Sequence, residues 1–118
     1  MRSGSSSRPE DAAPDWHRTG VPAHLPEGTR RRVLIGSHAL VVVRLAEGWY
    51  ALDDTCPHRG GELSQGDLGG FLLHCPLHAW PFDVRTGRCP EQPTASVGTY
   101  PVRVQDGELR VLASVTLR

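Results

Sequence analysis

Short apolar runs separated by turn residues dominate the chain from Thr29 onward. Branched and aromatic residues are concentrated in Arg32–Ile35, Leu40–Leu45 and Trp49–Leu52, and a Gly-containing turn at 46–48 separates the last two runs. Such residues favour extended backbone, and a Gly turn allows neighbouring strands to pair. The pattern predicts three β-strands, of which the last two form a hairpin.

The second half of the chain repeats this pattern. Apolar residues cluster in Phe71–His74 and Pro81–Val84, and they alternate with polar residues in Tyr100–Val104 and Glu108–Leu112 on either side of the turn 105–107. Gly or Pro interrupts each window that is long enough for an amphipathic helix. We therefore predict an all-β fold, a small antiparallel sandwich or barrel.

Composition limits the domain organisation and the range of functions. The 118 residues are enough for one domain, and thirteen Lys plus Arg balance thirteen Asp plus Glu. A net charge of zero disfavours nucleic-acid and anionic-membrane partners. Residues 1–15 lack apolar periodicity, so we predict a disordered tail there and a single domain over 16–118. Neither a membrane-length apolar stretch nor a secretory signal occurs, which favours a cytoplasmic protein.

Two loops between predicted strands share the opening Cys-Pro. They read CPHRGG from Cys56 and CPLHAW from Cys75, so that each offers one thiol and one imidazole, with His58 in the first loop and His78 in the second. Four ligands of these types on two short loops predict a compact metal centre. The odd number of cysteines, three, argues against a disulfide framework.

This pair of motifs resembles the signature of the Rieske-type [2Fe-2S] proteins, and the resemblance extends over Val21–Leu112. It implies one cluster per subunit, with one iron held by Cys56 and Cys75 and the other by His58 and His78. It also implies a Rieske-like sandwich or barrel that carries an inserted, smaller cluster-binding lobe at about 55–82.

Two departures from the high-potential members point to a low-potential, soluble type. Those members carry a further cysteine in each loop, joined as a disulfide, and Gly61 and Leu77 stand at the corresponding positions here. They also carry a serine that donates to a bridging sulfide, where this chain has Trp80.

The resemblance is to the ferredoxin components of ring-hydroxylating dioxygenases and to the small subunit of assimilatory nitrite reductase. It implies a one-electron carrier between a flavin-dependent or other reductase and a terminal oxygenase or other redox enzyme. No histidine follows His78, so an oxygenase site with two His and one carboxylate is not expected. A role as an oxidoreductase subunit stays open.

A zinc-stabilised binding module is the main chemical alternative, because Cys₂His₂ sets also bind zinc. Zinc fingers usually pair Cys with Cys and His with His, whereas each loop here mixes the two, which favours the cluster. A Cys75–His78 nucleophile and base pair would leave the other loop unexplained.

The remaining notable residues receive structural interpretations. Cys89 is interpreted as a spare thiol at a strand end, and His74 as a strand residue that faces away from Cys75. The run Arg30–Arg32 indicates either a solvated strand edge or a docking patch for an acidic redox partner. The other histidines lack ligand spacing and are interpreted as surface residues: His17, His24 and His38. Apolar cover for the sulfurs is expected from Leu63, Leu77, Trp80 and Phe82.

Overall fold

The structure, a computed structural model, describes residues 16–57, 60–77 and 80–113. Its strands in chain order are β1 (Trp16–Pro22), β2 (Arg30–Ile35), β3 (His38–Leu45), β4 (Gly48–Asp53), β5 (Leu68–Gly69), β6 (Leu72–His74), β7 (Pro81–Asp83), β8 (Arg88–Cys89), β9 (Gln92–Ser96), β10 (Thr99–Tyr100), β11 (Val102–Gln105) and β12 (Glu108–Leu112). Among these residues the only helical segment is a 3₁₀ turn, Leu63–Gln65.

The largest sheet is antiparallel, with the strand order β10-β4-β3-β2. Strand β3 lies inside it and contains four consecutive residues, 40–43, that are fully buried. An uninterrupted apolar run of this kind is typical of a strand covered on both faces. The composition of β3 therefore places it at the centre of the fold.

Side chains of this sheet enter two separate apolar clusters, because successive residues of a strand point to opposite faces. Leu40 and Val42 pack in a cluster with Leu109 and Val111 of β12. Val41 and Val43 lie in the other cluster, with the three cysteines and the surrounding apolar residues. One face of the sheet thus supports the cysteine loops and the other packs against the second sheet.

The second sheet has the strand order β11-β12-β1. Its hairpin is the one that the sequence predicts around 105–107, and the turn places Asp106 at φ 56° and Gly107 at φ 76°. Positive φ at two successive residues gives the twist that a tight hairpin needs. Strand β1 was not predicted, because WHRTGVP has no alternating pattern. Its pairing with β12 comes from residues about ninety positions away.

A small three-stranded sheet, β5-β6-β7, surrounds the second cysteine loop in sequence, because β5 and β6 precede this loop and β7 follows it. Leu73 of β6 pairs with Phe82 of β7, and both side chains are fully buried in the cluster that contains the cysteines. A short two-stranded ribbon, β8-β9, follows. The small sheet falls within the stretch 55–82 where the lobe is expected.

These observations confirm the predicted all-β antiparallel fold. In the first half of the chain, the strands extend the predicted runs by one or two residues at several ends. Strands β5, β8 and β9 were not predicted, because two-residue strands and a polar strand show no recognisable hydrophobic alternation. The division into a tail and a single domain stays a prediction, since residues 1–15 lie outside the described part of the chain. Within that part, no helix has the length and apolarity to cross a membrane.

Gly66 provides a test of how the 3₁₀ turn packs against the small sheet. A Cβ atom at this position would lie 1.7 Å from the backbone oxygen of His74, and backbone cannot move aside cheaply. We expect Gly66→Ala to lower the free energy of unfolding by about 3 kcal/mol or more in urea denaturation. Gly69→Ala is the matched control. The nearest atom there is a His74 ring carbon at 3.7 Å, so a comparable loss in both variants would contradict this account.

Candidate metal centre

The two cysteine loops close in the same way. The Cys56 N–H donates to the Gly61 carbonyl at 2.8 Å, and the Cys75 N–H donates to the Trp80 carbonyl at 2.8 Å. Each hydrogen bond spans five residues, so each cysteine lies at the base of a turn of the same size. In the first loop, the Gly60 N–H also donates to the Cys56 carbonyl at 2.8 Å, and Gly60 adopts a φ of 74° that favours glycine.

Both cysteine side chains at these bases are buried, each only 1% exposed, and neither forms a disulfide. The Cys56 and Cys75 thiols lie within hydrogen-bonding reach of each other, and the Leu77 N–H points at the Cys75 sulfur. Burial raises the pKa of the Cys75 thiol, and the adjacent Cys56 raises that pKa further. Two buried thiolates side by side repel each other, and a bound cation removes this penalty. The donor pair therefore fits a metal centre.

Gly61 lies against this sulfur with no room for a side chain. A Cβ atom there would be 3.1 Å from Cys75 Sγ and 3.2 Å from Leu77 Cγ. Glycine at position 61 therefore lets the first loop lie close to the Cys75 sulfur. The same distances show that positions 61 and 77 are neighbours. High-potential Rieske proteins carry their loop disulfide at these two positions, so the structure agrees with the correspondence that the resemblance implies.

Asp54 holds the backbone that leads into the first cysteine loop, and no motif in the sequence indicates this role. Its carboxylate is 1% exposed and accepts hydrogen bonds from the Ser64 N–H at 2.6 Å, the Ser64 hydroxyl at 3.0 Å and Arg32 Nε at 3.0 Å. Burial raises the pKa of this carboxyl, while the bonds from Ser64 and Arg32 oppose the rise. Asp54 thus ties β2 and the 3₁₀ turn to the segment that leads into Cys56.

A second polar network holds the end of β4. The Asp53 carboxylate accepts hydrogen bonds from the Tyr100 hydroxyl and the Gly98 N–H, and His38 Nε2 lies 2.8 Å from the same carboxylate. Burial and the hydrogen bond to Asp53 raise the pKa of Tyr100. His38 is predicted as a surface residue, and its side chain is indeed 41% exposed, but its ring also belongs to this network. The strand end before the first cysteine loop is therefore anchored to β3 and β10.

The other predicted residues form four groups: the two loop histidines, Cys89, His74 and the apolar cover. His58 and His78 lie outside the described residues. Cys89 is a free thiol at the end of β8 and is buried in the same apolar cluster as the other cysteines. His74 is on β6, with its Nδ1 3.2 Å from the Asp67 carbonyl oxygen.

Of the expected apolar cover, Leu63 and Phe82 are fully buried in the apolar cluster that contains the cysteines, and Trp80 packs against it, whereas Leu77 is 46% exposed.

Arg30–Arg32 forms the first half of β2, which is an edge strand of its sheet. Arg32 makes the ion pair with Asp54, a contact that neither sequence interpretation included. The position at an edge agrees with the solvated strand edge that the run of like charges indicates.

Geometry and fold together define an all-β protein with a buried pair of thiols at the base of two matching loops. The Rieske [2Fe-2S] domain family matches residues 15–101. Ferredoxin CarAc of Metapseudomonas resinovorans is 37% identical over 98 residues, which cover 81% of this chain and 92% of that protein. The anthranilate 1,2-dioxygenase ferredoxin subunit of Burkholderia cepacia is 32% identical over 98 residues, covering 82% of this chain and 91% of the relative.

Solved structures agree with these relatives. The chain superimposes with a TM-score of 0.76 and 34% identity on a chain from the complex of reduced oxygenase and oxidised ferredoxin in carbazole 1,9a-dioxygenase, covering 88% of this chain and 98% of that one. A structure described as an NADH-dependent nitrite reductase small subunit from Mycobacterium tuberculosis gives a TM-score of 0.77 at 26% identity, with 87% and 98% covered. The chain belongs to the Rieske [2Fe-2S] domain family, and its cofactor is one [2Fe-2S] cluster.

Removal of the Asp54 carboxylate tests its supporting role. Asp54→Ala leaves the Ser64 N–H and hydroxyl without their acceptor in a buried position, so we expect a loss of about 2–4 kcal/mol in the free energy of unfolding. Asp67→Ala is the control, because the Asp67 residue is exposed in the same part of the fold, and its expected effect is within about 0.5 kcal/mol. Equal urea midpoints for Asp54→Ala and Asp67→Ala would contradict the supporting role of Asp54.

Proposed function

We propose that the chain is a Rieske-type ferredoxin, a one-electron carrier between a flavin-dependent or other reductase and a terminal oxygenase or other redox enzyme. We further propose that Cys56 and Cys75 hold one iron of the cluster and His58 and His78 hold the other. The observation that carries this proposal is the contact between two buried thiols at the bases of two matching loops. In sequence, each loop has its histidine between the two ends that the backbone hydrogen bond joins.

The bound cluster supplies reversible one-electron chemistry, and the protein supplies the ligands and their surroundings. Cys56 and Cys75 act as thiolates on a site that the apolar cluster shields from water. The Leu77 N–H donates to the Cys75 sulfur, and a hydrogen bond to a ligand sulfur stabilises the more negative, reduced state. The anchored ends of both loops hold the sulfurs in place, which limits reorganisation during electron transfer.

The relatives support this assignment of partners. The matched curated proteins include ferredoxin components of the anthranilate, naphthalene and 2,4-dinitrotoluene dioxygenase systems. One matched structure is a complex of a ferredoxin with its oxygenase. By this analogy, the terminal partner of our chain is an oxygenase, with a separate reductase as electron donor. We also propose a cytoplasmic location, because the matched relatives are ferredoxin components of dioxygenase systems.

The structural similarity to a nitrite reductase small subunit favours a second candidate, the cluster-bearing small subunit of an assimilatory nitrite reductase. Affinity purification from the native host separates the two candidates. Co-purification with a large polypeptide that contains sirohaem would support the subunit, and electron transfer to an oxygenase would support the carrier. A colourless protein with stoichiometric zinc would contradict both.

Replacement of single cysteines tests the proposed ligands. Cys56→Ser and Cys75→Ser should abolish the visible and electron-paramagnetic signals of the reduced cluster, because each removes one of two thiolate ligands. Cys89→Ser is a matched control, since Cys89 is equally buried and belongs to the same apolar cluster. It should retain full iron and sulfide content. Loss of the cluster in Cys89→Ser with retention in Cys75→Ser would refute the assignment.

The reduction potential tests the histidine ligands independently. Neutral imidazoles in place of two thiolates make the oxidised cluster less negative, so an added electron meets less repulsion. Because the loop disulfide and the serine donor are missing, we expect a value at the low end of the Rieske range, about −150 mV, in a spectroscopic redox titration. A potential of about −400 mV, typical of plant-type ferredoxins, would exclude histidine ligation.

A further inference from the structure

We propose that the side chain of Leu77 is the apolar cover that keeps water from the Cys75 sulfur and thereby lowers the reduction potential and slows loss of the cluster. This inference deepens the proposed function and rests on it. It assigns a positioning and shielding role to a residue whose exposure, taken alone, would suggest an ordinary loop position.

Leu77 combines two properties that rarely occur together in a loop residue. Its side chain is 46% exposed, yet two of its carbons, Cγ and Cδ1, lie 3.2 and 3.3 Å from the point where a Cβ on Gly61 would be. The sulfur of Cys75 lies 3.1 Å from the same point. One side of the leucine is therefore packed over the small gap between Gly61 and the sulfur, while its other side faces solvent.

The exposure of Cys75 itself supports a covering role. Cys75 lies only two residues before an exposed leucine and one before an exposed proline, but it is 1% exposed. Gly61 has no side chain that could shield the sulfur from the first loop. Leu77 supplies packed carbon atoms on that side, and its backbone N–H donates to the same sulfur. Backbone and side chain of one residue thus hold and cover one ligand atom.

The physical consequence has a definite sign. Water that reaches a ligand sulfur donates hydrogen bonds and raises the local dielectric, which favours the more negative, reduced state. A shorter side chain at position 77 removes Cγ and Cδ1, the atoms next to the gap. It should therefore move the potential to more positive values and also open a route for chelators to the metal. A role limited to loop stability predicts faster cluster loss without a shift in potential.

The experiment compares holoproteins that carry Leu77→Ala, Leu77→Met or Leu34→Ala with the wild type. Leu34 is a matched control because it is an exposed leucine, 58% exposed, on β2. Two quantities are measured without any partner protein: the potential by spectroscopic titration, and the rate at which a chelator bleaches the cluster. For Leu77→Ala we expect a more positive potential and several-fold faster bleaching, whereas Leu77→Met and Leu34→Ala should match the wild type.

Each outcome decides the inference. An unchanged potential in Leu77→Ala, with or without faster bleaching, overturns it, and so does an equal shift in Leu34→Ala. If Leu77→Ala yields no intact holoprotein, the comparison uses Leu77→Met instead. A wild-type potential and bleaching rate in Leu77→Met support the covering role of the side chain, and altered values overturn it. A wild-type protein without iron and sulfide would be recognised before any variant is compared, and it would refute the proposed function together with this inference.

Discussion

Two thiols that are buried next to each other organise the two cysteine loops. Cys56 and Cys75 come from loops that follow different sheets, and both are in one apolar cluster. Burial raises the pKa of the Cys75 thiol, and the adjacent Cys56 raises that pKa further. The pair is therefore suited to a bound cation rather than to exposure as reactive thiols. Metal binding contributes free energy of folding, which also explains how the short strands β5–β7 stay folded with only a small apolar core.

The surroundings of the thiol pair are fixed by polar contacts at the ends of the central strands. Asp54 connects β2 and the 3₁₀ turn, and Asp53 connects β3 and β10, so two adjacent carboxylates anchor the backbone just before the first loop. A buried or half-buried carboxylate is tolerated only when its oxygens accept hydrogen bonds, and each of these two carboxylates has several donors. The loop that carries Cys56 consequently leaves the sheet from a fixed point.

The same centre combines protection with access. Leu63 and Phe82 shield the sulfurs from the interior side, and neither is exposed. Toward solvent the cover is thin, since Pro57, Gly60, Pro76 and Leu77 are all exposed. A thin outer layer suits a carrier of single electrons, which needs a close approach by its partner but no substrate pocket.

Local sequence patterns are enough to predict the fold class, and they also predict a metal centre. Runs of Val, Ile and Leu predict β2–β4 and alternation predicts the hairpin of β11 and β12, because these signals arise from local backbone preference and from side-chain period. The repeated Cys-Pro loops with their histidines indicate a metal centre from spacing alone. Four features became clear only from the tertiary structure: the pairing of β1, the burial and contact of the two thiols, the Asp54 and Asp53 networks, and the position of Leu77 beside Gly61 and the Cys75 sulfur. Each of these depends on residues far apart in the chain, such as His38 and Tyr100 or Gly61 and Leu77, whose contacts leave no local pattern to read.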